Sequence, residues 1–539
     1  MKLMTAGTEI SINYMIDCLG RWWSQLSYST WIYFALFLPV TAFVYQLFPR
    51  RKRRLVLLAA SWVFFFTLSH FLLIGNLAVS AFVWGMGIIL DSINGDKKLK
   101  RKEREKKKKT VLLLSVILLI LTLICFKYLD FIGLNIVRVT QAMGVAFNWH
   151  ILGLAVPVGI SYFTLEAIAY LTDVYSGKTA AEKSIVNIFL FMSFFPKLVE
   201  GPITRYSEAG GLFSGNDIEE RNLREGFQRI LWGLFKKLTI ADHLSPAVSE
   251  LFSGEYMDGG VALFAALLFT LQEYMDFSGA IDIAIGSARI FGVRLSENFK
   301  QPFFAKNASD FWRRWHITLG TFFRDYIFYP IAVSKPVLKL TVKLKKLGLN
   351  GVSRFTAPTI ALFFVWLSNG LWHGPKWTYI FYGMYYFVLI FLENIFEEPF
   401  LKLLSRLRLE ETSLPVRVFR YIKLFLIIII GEMFFRADSL TKGMEMFKLI
   451  FTDLRFDMVI KHIQDIGIDR YGYLVICIGL IVVAAVETMK EAGISIRAKI
   501  ESLPIVLRFA FWYGCIFFVI IFGAYGTGYD AMDLLYAQF

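Results

Sequence analysis

The chemistry open to this chain is narrowed by how few imidazoles it carries. Six histidines occur: His70, His150, His243, His316, His373 and His462. Imidazole is the side chain whose reference pKa best suits proton transfer near neutrality. Two of the six stand in dense polar and aromatic surroundings. His373 closes the stretch Val-Trp-Leu-Ser-Asn-Gly-Leu-Trp-His-Gly-Pro over residues 365–375. The apolar residues ahead of it predict a helix, and Gly374-Pro375 predicts its stop. His373 then falls in the last turn, whose carbonyls lack partners within the helix and can accept the ring hydrogen. Trp366 and Asn369 precede it by seven and four residues and share its face. An Asn one turn below can hold an imidazole tautomer or bind a carbonyl oxygen, whereas a satisfied interfacial His among Trp residues is the plainer reading.

His316 lies in Asp-Phe-Trp-Arg-Arg-Trp-His-Ile-Thr-Leu, residues 310–319. At helical spacing Trp312, Arg313 and His316 form one continuous face. Arg313 and Arg314, flanked by two Trp, suit either an inner-interface anchor or a grip on phosphates, because guanidinium matches phosphate geometry. His316 and His373 are 57 positions apart with no second metal-type spacing nearby, so no metal is expected. Glu273, Asp276 and Asp282 sit within a long apolar region. They could pair with Arg313 or Arg314, line a polar tunnel, or bind a proton in a transporter. Glu166, Asp173, Lys197, Glu200, Glu432 and Arg436 are further charges embedded in apolar sequence.

The elements that must position these groups are membrane helices. Of 539 residues, 56% are apolar and only 19% charged, against about 25% in soluble proteins. Runs near the ~20 residues a spanning helix needs begin at 30–48, 55–73, 77–90, 111–131, 151–171, 185–195, 230–244 and 261–283, and continue at 357–372, 377–392, 421–435, 473–486 and 506–524. Allowing for tilted or half-spanning segments, about eleven spans are expected. The net charge of +15 points to a membrane surface rather than to nucleic acid, because the basic residues gather at the ends of apolar segments. Residues 50–54 are Arg-Arg-Lys-Arg-Arg, and 97–109 hold ten basic and two acidic residues. Both clusters belong in the cytoplasm by the positive-inside rule, and the two spans between them agree with that. Residues 1–29 then fall outside, with Trp22 and Trp23 as an interfacial anchor and no secretory signal ahead of the spans.

Residues 1–150 read as conventional spans, 151–440 as the chemical core and 441–539 as a C-terminal membrane extension. The middle section is broken repeatedly by Gly, Pro and charge, which survives at membrane depth only where protein or a watery cavity encloses it. Pro157–Ser161 and Val199–Ile203 suggest re-entrant turns. Residues 97–109 read as a solvated loop, and 335–346 as either a loop or an amphipathic helix against anionic headgroups. Gly286–Gly292 is glycine-spaced but lacks the ending of a phosphate loop. Asn307-Ala308-Ser309 fits a glycosylation sequon. Cys18, Cys125, Cys477 and Cys515 are scattered and read as small buried hydrophobes.

In order, Pro157-Val-Gly-Ile-Ser161, Phe194-Phe-Pro-Lys-Leu-Val-Glu-Gly-Pro202, Asp276-Phe-Ser-Gly279, Asn298-Phe299, Phe311-Trp-Arg-Arg-Trp-His316, Phe323-Arg-Asp-Tyr326, Leu371-Trp-His-Gly374, Phe434-Phe-Arg-Ala437 and the closing Tyr536-Ala-Gln-Phe539 resemble the membrane-bound O-acyltransferase (MBOAT) family. The likeness is to its bacterial branch of alginate O-acetylases and related polysaccharide or peptidoglycan O-acetyltransferases. Glu200 and Lys197 depart from the smaller residue and the Gln common there. The resemblance implies an all-α polytopic membrane protein, with re-entrant or tilted helices around a central tunnel. It implies that His373 is the essential histidine and His316 the second. Trp312, Arg313, Arg314, Asn369, Trp372, Asp276 and Asp282 are then supporting or substrate-binding candidates. The expected donor is acetyl-CoA or another acyl thioester, and the acceptor is a polysaccharide or cell-wall glycan. The expected partner is an extracytoplasmic SGNH-type acetyltransferase, and the expected location is the bacterial inner membrane. From the residues alone, a proton- or ion-coupled transporter or lipid flippase is the alternative, on the strength of its interrupted, charge-bearing helices.

Overall fold

The computed structural model describes residues 26–525 apart from 29, 97, 255–256 and 464–465. Trp22, Trp23, Cys18 and the closing Tyr536–Phe539 motif lie outside the described residues. Within them every regular element is a helix. Seven helical stretches are long and apolar enough to cross a membrane: Arg50–Gly95, Arg101–Ala142, Gly259–Ile290, Asn350–His373, Trp377–Arg406, Arg470–Glu491 and Ile505–Phe522. Two shorter apolar helices, Tyr33–Leu47 and Ile185–Lys197, accompany them.

The difference from eleven has identifiable causes. The Arg50–Gly95 stretch is two helices, Arg50–Ser69 and Leu73–Gly95, joined at His70, whose φ of 46° turns the chain. It thereby absorbs two expected spans. The 151–171 candidate is irregular up to Gly159 and helical only from Ile160, in Ile160–Ser176. The 230–244 candidate runs from Glu220–Lys236 through a π-turn at Lys237–Ala241 into Asp242–Ser253. Pro157 and Gly159 delay the first helix, while Lys236, Lys237 and Asp242 make the second polar, and the π-turn residues Lys237–Ala241 are buried in protein. The basic 97–109 segment is not a loop either. From Arg101 it is helical and runs without a break to Leu123, because Lys, Arg and Glu are good helix formers.

The centre is the 32-residue helix Gly259–Ile290, whose most apolar window is 72% buried, against 6% for Ile505–Phe522. Glycines let its neighbour come close. Added Cβ atoms would lie 2.7 Å from the Gly286 carbonyl oxygen at Gly226 and 2.5 Å from the Gly279 carbonyl oxygen at Gly233. The glycine-spaced 286–292 segment is therefore a packing face of this helix. The helix ending at His373 meets Trp377–Arg406 in the same way. A Cβ at Gly370 would lie 2.4 Å from the Tyr379 oxygen, and one at Gly383 would lie 2.3 Å from the Trp366 oxygen. Small residues at helix contacts are the usual means of close packing in lipid.

Toward lipid the surface is apolar. Cys125 and Cys477 are exposed there and Cys515 is half-buried, so these cysteines do not fill a core. In a bilayer the outward face is itself apolar, which removes the drive to bury them. Lys335–Lys346 forms a helix with only Val337 buried. Leu338, Leu340 and Val342 are bare beside Lys339, Lys343, Lys345 and Lys346. That pattern suits an interfacial helix. Asn307 caps the helix Ala308–Arg314, accepting the Asp310 amide at 2.8 Å.

Candidate functional site

His373 is the last residue of the helix Asn350–His373 and is buried. It lines a cavity of about 490 Å³ together with Lys127, Ser161, Trp372, Tyr379 and Arg436. The exposed Val156 and Lys376 are also in the lining, so the cavity reaches the surface. The apolar part of the stretch Arg101–Ala142 starts at Val111, and Lys127 stands sixteen residues beyond it, about 24 Å along the helix at 1.5 Å per residue.

Aromatic rings shape the imidazole's surroundings. Phe435 stands edge-on to the His373 ring at 5.0 Å and Tyr382 at 6.0 Å, with Tyr379 at 6.1 Å. The Tyr382 hydroxyl donates to Glu432 at 2.8 Å, and Glu432 is hydrogen-bonded to Glu273. Two carboxyls thus hold the aromatic wall behind the imidazole. Asn369 is buried one turn earlier and is not in the cavity lining.

His316 does not share a helical face with Trp312. The helix stops at Arg314, and His316 has left-handed backbone angles, φ 46° and ψ 51°. The interruption is held by the chain at 298–300, where the Lys300 amide donates to the Arg314 oxygen and the Ile317 amide to the Asn298 oxygen, both at 2.9 Å. The Asn298 side chain then orients the ring. Its Oδ1 accepts the Thr318 amide at 3.0 Å, which identifies that atom as the oxygen. His316 Nδ1 lies 3.2 Å from the same oxygen and must therefore carry the hydrogen, leaving Nε2 as the position that can accept. The Trp372 ring stands between the histidines, 5.5 Å from His316 and 5.1 Å from His373. His316 is outside the cavity lining.

The remaining candidates disperse. Trp312 packs at 4.9 Å against both Trp366 and Tyr386, in the core. Arg314 is engaged by Glu491 at 2.8 Å, and Arg313 is exposed. The carboxylates of the central helix do not pair with these arginines. Asp276 binds Lys237 at 2.7 Å, while Asp282 binds Lys236 at 2.7 Å and also Arg229. The reason is adjacency: Lys236 and Lys237 end the helix packed against this one. Of the two unusual residues near 200, Lys197 pairs with Glu166, whose other oxygen accepts the Thr204 amide at 2.9 Å. Glu200 is fully buried beside them. This knot fixes the turn against which Gly159 packs, and there a Cβ would lie 2.2 Å from the Leu198 oxygen.

Sequence reasoning missed Lys127, Ser161 and Asn298 as parts of the site. Lys127 carried a usable signal, being the lone cation within an otherwise apolar span.

The sequence profile of the membrane-bound O-acyltransferase family matches residues 58–342, more than half of the chain. The probable alginate O-acetylase AlgI of Pseudomonas aeruginosa is 31% identical over 427 residues, 79% of this chain and 75% of that protein. The peptidoglycan O-acetyltransferase of Helicobacter pylori is 29% identical over 60% of this chain and 61% of its own length. A teichoic acid D-alanyltransferase of Bacillus subtilis is 29% identical over 45% of this chain and 60% of its own. These relatives are bacterial, and with its membrane-length helices the chain is a multi-pass bacterial membrane protein. Coverage of that extent decides the affiliation: the chain belongs to the membrane-bound O-acyltransferase family and is a membrane-embedded O-acyltransferase.

Proposed function

We propose that this enzyme moves an acetyl group from a cytoplasmic thioester, acetyl-CoA or an equivalent, toward a hydroxyl of an extracytoplasmic polysaccharide or cell-wall glycan. His373 acts as the general base. It takes the proton of the acceptor hydroxyl as that oxygen attacks the acyl carbonyl, and the thiol leaves with a proton. His316, with its Nδ1 hydrogen committed to Asn298, supports the Trp372 wall and presents Nε2 as an acceptor. The observation that carries the reading is His373 itself, an imidazole at a helix end in the wall of a surface-reaching cavity. The names of the AlgI and peptidoglycan relatives favour acetyl and a glycan acceptor. Final delivery by a separate extracytoplasmic SGNH-type transferase fits an acceptor too large for a cavity of about 490 Å³.

The test uses purified protein in proteoliposomes with radiolabelled acetyl-CoA and an oligosaccharide acceptor. His373→Ala at equal abundance should lose ~10²–10⁴ of the transfer rate, the usual worth of a general base. Transfer by that variant within a few-fold of wild type overturns the assignment.

A further inference from the structure

The cavity wall holds an arrangement that involves neither imidazole ring. Lys127 and Tyr128 end a π-turn, Ile124–Tyr128, inside the stretch Arg101–Ala142. Such turns are frequent at functional sites because the extra residue redirects side chains. Here both redirected side chains reach the end of the His373 helix. Lys127 Nζ donates to the Trp372 oxygen at 3.2 Å and to the His373 oxygen at 3.3 Å, and the Tyr128 hydroxyl donates to the Leu371 oxygen. These carbonyls belong to the last turn, where helical partners run out. The third Lys127 hydrogen goes to Ser161 Oγ at 3.2 Å. An ammonium has three hydrogens, and all three are placed.

Ser161 is half-buried in the first turn of Ile160–Ser176, directly after the left-handed Gly159. Its oxygen accepts from Lys127, and among the described contacts its own hydrogen is given to no protein acceptor. Ser161, Lys127 and His373 all line the same cavity. Ser161 Oγ and the His373 carbonyl are each one hydrogen bond from the same nitrogen. The positive end of a helix dipole also stands behind Ser161.

We propose that Ser161 is a further catalytic residue, whose hydroxyl donates to the acyl carbonyl oxygen as that oxygen becomes an oxyanion. Lys127 is its positioning residue, tying Ser161 to the turn that carries His373. No bond to Ser161 forms; the hydroxyl keeps its proton while the charge develops and collapses. The ammonium draws on the serine oxygen and strengthens its donation, as linked hydrogen bonds do in a low-dielectric site. The inference rests on His373 being the base of the same reaction.

Four variants of the full chain in proteoliposomes, with acetyl-CoA and an oligosaccharide acceptor, test it: Ser161→Ala, Ser161→Thr, Lys127→Met and the Ser161→Ala/Lys127→Met double. His373→Ala is run beside them. Ser161→Ala should lower kcat by ~10²–10³, the effect of removing one oxyanion donor, with KM for acetyl-CoA within threefold. Ser161→Thr, which keeps the hydroxyl, should recover to within about tenfold of wild type. The double variant should fall no more than threefold below the worse single, because residues acting as a unit are not additive. If Ser161→Ala keeps kcat within threefold while His373→Ala is inactive, the oxyanion role is overturned and the base assignment stands. If both keep their activity, the base assignment falls with it. Ser161→Ala removes one oxygen only, so it decides the oxyanion role even if Lys127→Met fails to fold.

Discussion

Removing the Asn298 oxygen should cost both stability and reaction rate, by an amount the structure allows to be bounded. That single atom accepts the Thr318 amide at 3.0 Å, the Thr318 hydroxyl at 2.9 Å and the His316 ring hydrogen at 3.2 Å. The Thr318 oxygen is itself committed, because it accepts the Ile203 amide at 3.1 Å, so its hydroxyl has little freedom to turn elsewhere. Asn298→Leu leaves three buried donors facing a hydrocarbon side chain. Each stranded donor costs about 1–3 kcal/mol. The three share one site and do not add fully, which sets the expected loss at roughly 3 kcal/mol or more. Asn298→Asp keeps an oxygen in the same place, and a carboxylate receiving several hydrogen bonds is well held. Its stability should stay within about 1 kcal/mol of wild type, the worth of one ordinary hydrogen bond. Thermal unfolding in detergent, followed by tryptophan fluorescence, measures the stability loss. Nitrogen NMR of labelled histidine reports the tautomer, with His316 protonated at Nδ1 in wild type and Asn298→Asp. A wild-type ring protonated only at Nε2, or an Asn298→Leu protein as stable as the parent, rules out this role for Asn298.

Two further outcomes follow from charges outside the cavity. Lys237→Met leaves Asp276 and Asp242, each 2.7 Å from the lysine nitrogen, without their buried cation. It should destabilise by about 3–5 kcal/mol, and the triple change Lys237→Met/Asp242→Asn/Asp276→Asn should recover most of the lost melting temperature. Equal melting of the single variant and wild type counts against a buried ion cluster. At the protein surface, hydrogen bonds from Arg50 and Arg53 hold the Asp217 carboxyl below the ordinary range. A depressed carboxyl contributes stability above its unfolded pKa of about 3.9, and that contribution disappears as pH falls through the lower folded value. Asp217→Asn should therefore lower the melting temperature at neutral pH and converge on wild type as pH falls below about 4, flattening the acid limb of the profile. An identical acid limb in the variant rejects the linkage.

What could be read in the residues was set by which physical rule acted locally. The helix ending at His373 was legible because apolar run, Gly and Pro act over a few residues. Membrane character was legible from length and charge placement alone. His316 was misread as part of a continuous helix because local spacing there is helical, and what breaks it is a hydrogen-bonded segment at 298–300. The pairing of Asp276 and Asp282 with Arg313 or Arg314, one of three roles the sequence left open, does not occur, for a similar reason. Arginines conspicuous in sequence are engaged elsewhere or exposed, while the true partners sit on the helix packed through Gly226 and Gly233. Lys127 is the instructive case. A lone cation in an apolar span already demands an explanation, but its role depends on a π-turn that leaves no local mark in the sequence.

The charges also sort by whether they are answered. In the core Asp276, Asp282, Asp242 and Glu166 each meet a lysine or arginine. The cavity is different, since Lys127, Lys376 and Arg436 line it and no Asp or Glu does. Among the described residues only Arg436 of the three has a carboxylate within ion-pair reach, the exposed Asp438 at 3.7 Å. A cation at membrane depth costs several kcal/mol unless something compensates it. Lys127 is met by the Trp372 and His373 carbonyl oxygens, and in the proposed mechanism the tetrahedral oxyanion is the one species of the reaction that brings negative charge to the cavity. Positive charge fixed in place beforehand stabilises that species over both of its neutral neighbours, and stabilising it selectively is what lowers the barrier. Neutralising the carboxylates elsewhere keeps their fields from cancelling this one. In the mechanism proposed above, the transient negative charge of the reaction is what these cavity cations would face, while the buried carboxylates elsewhere are already paired.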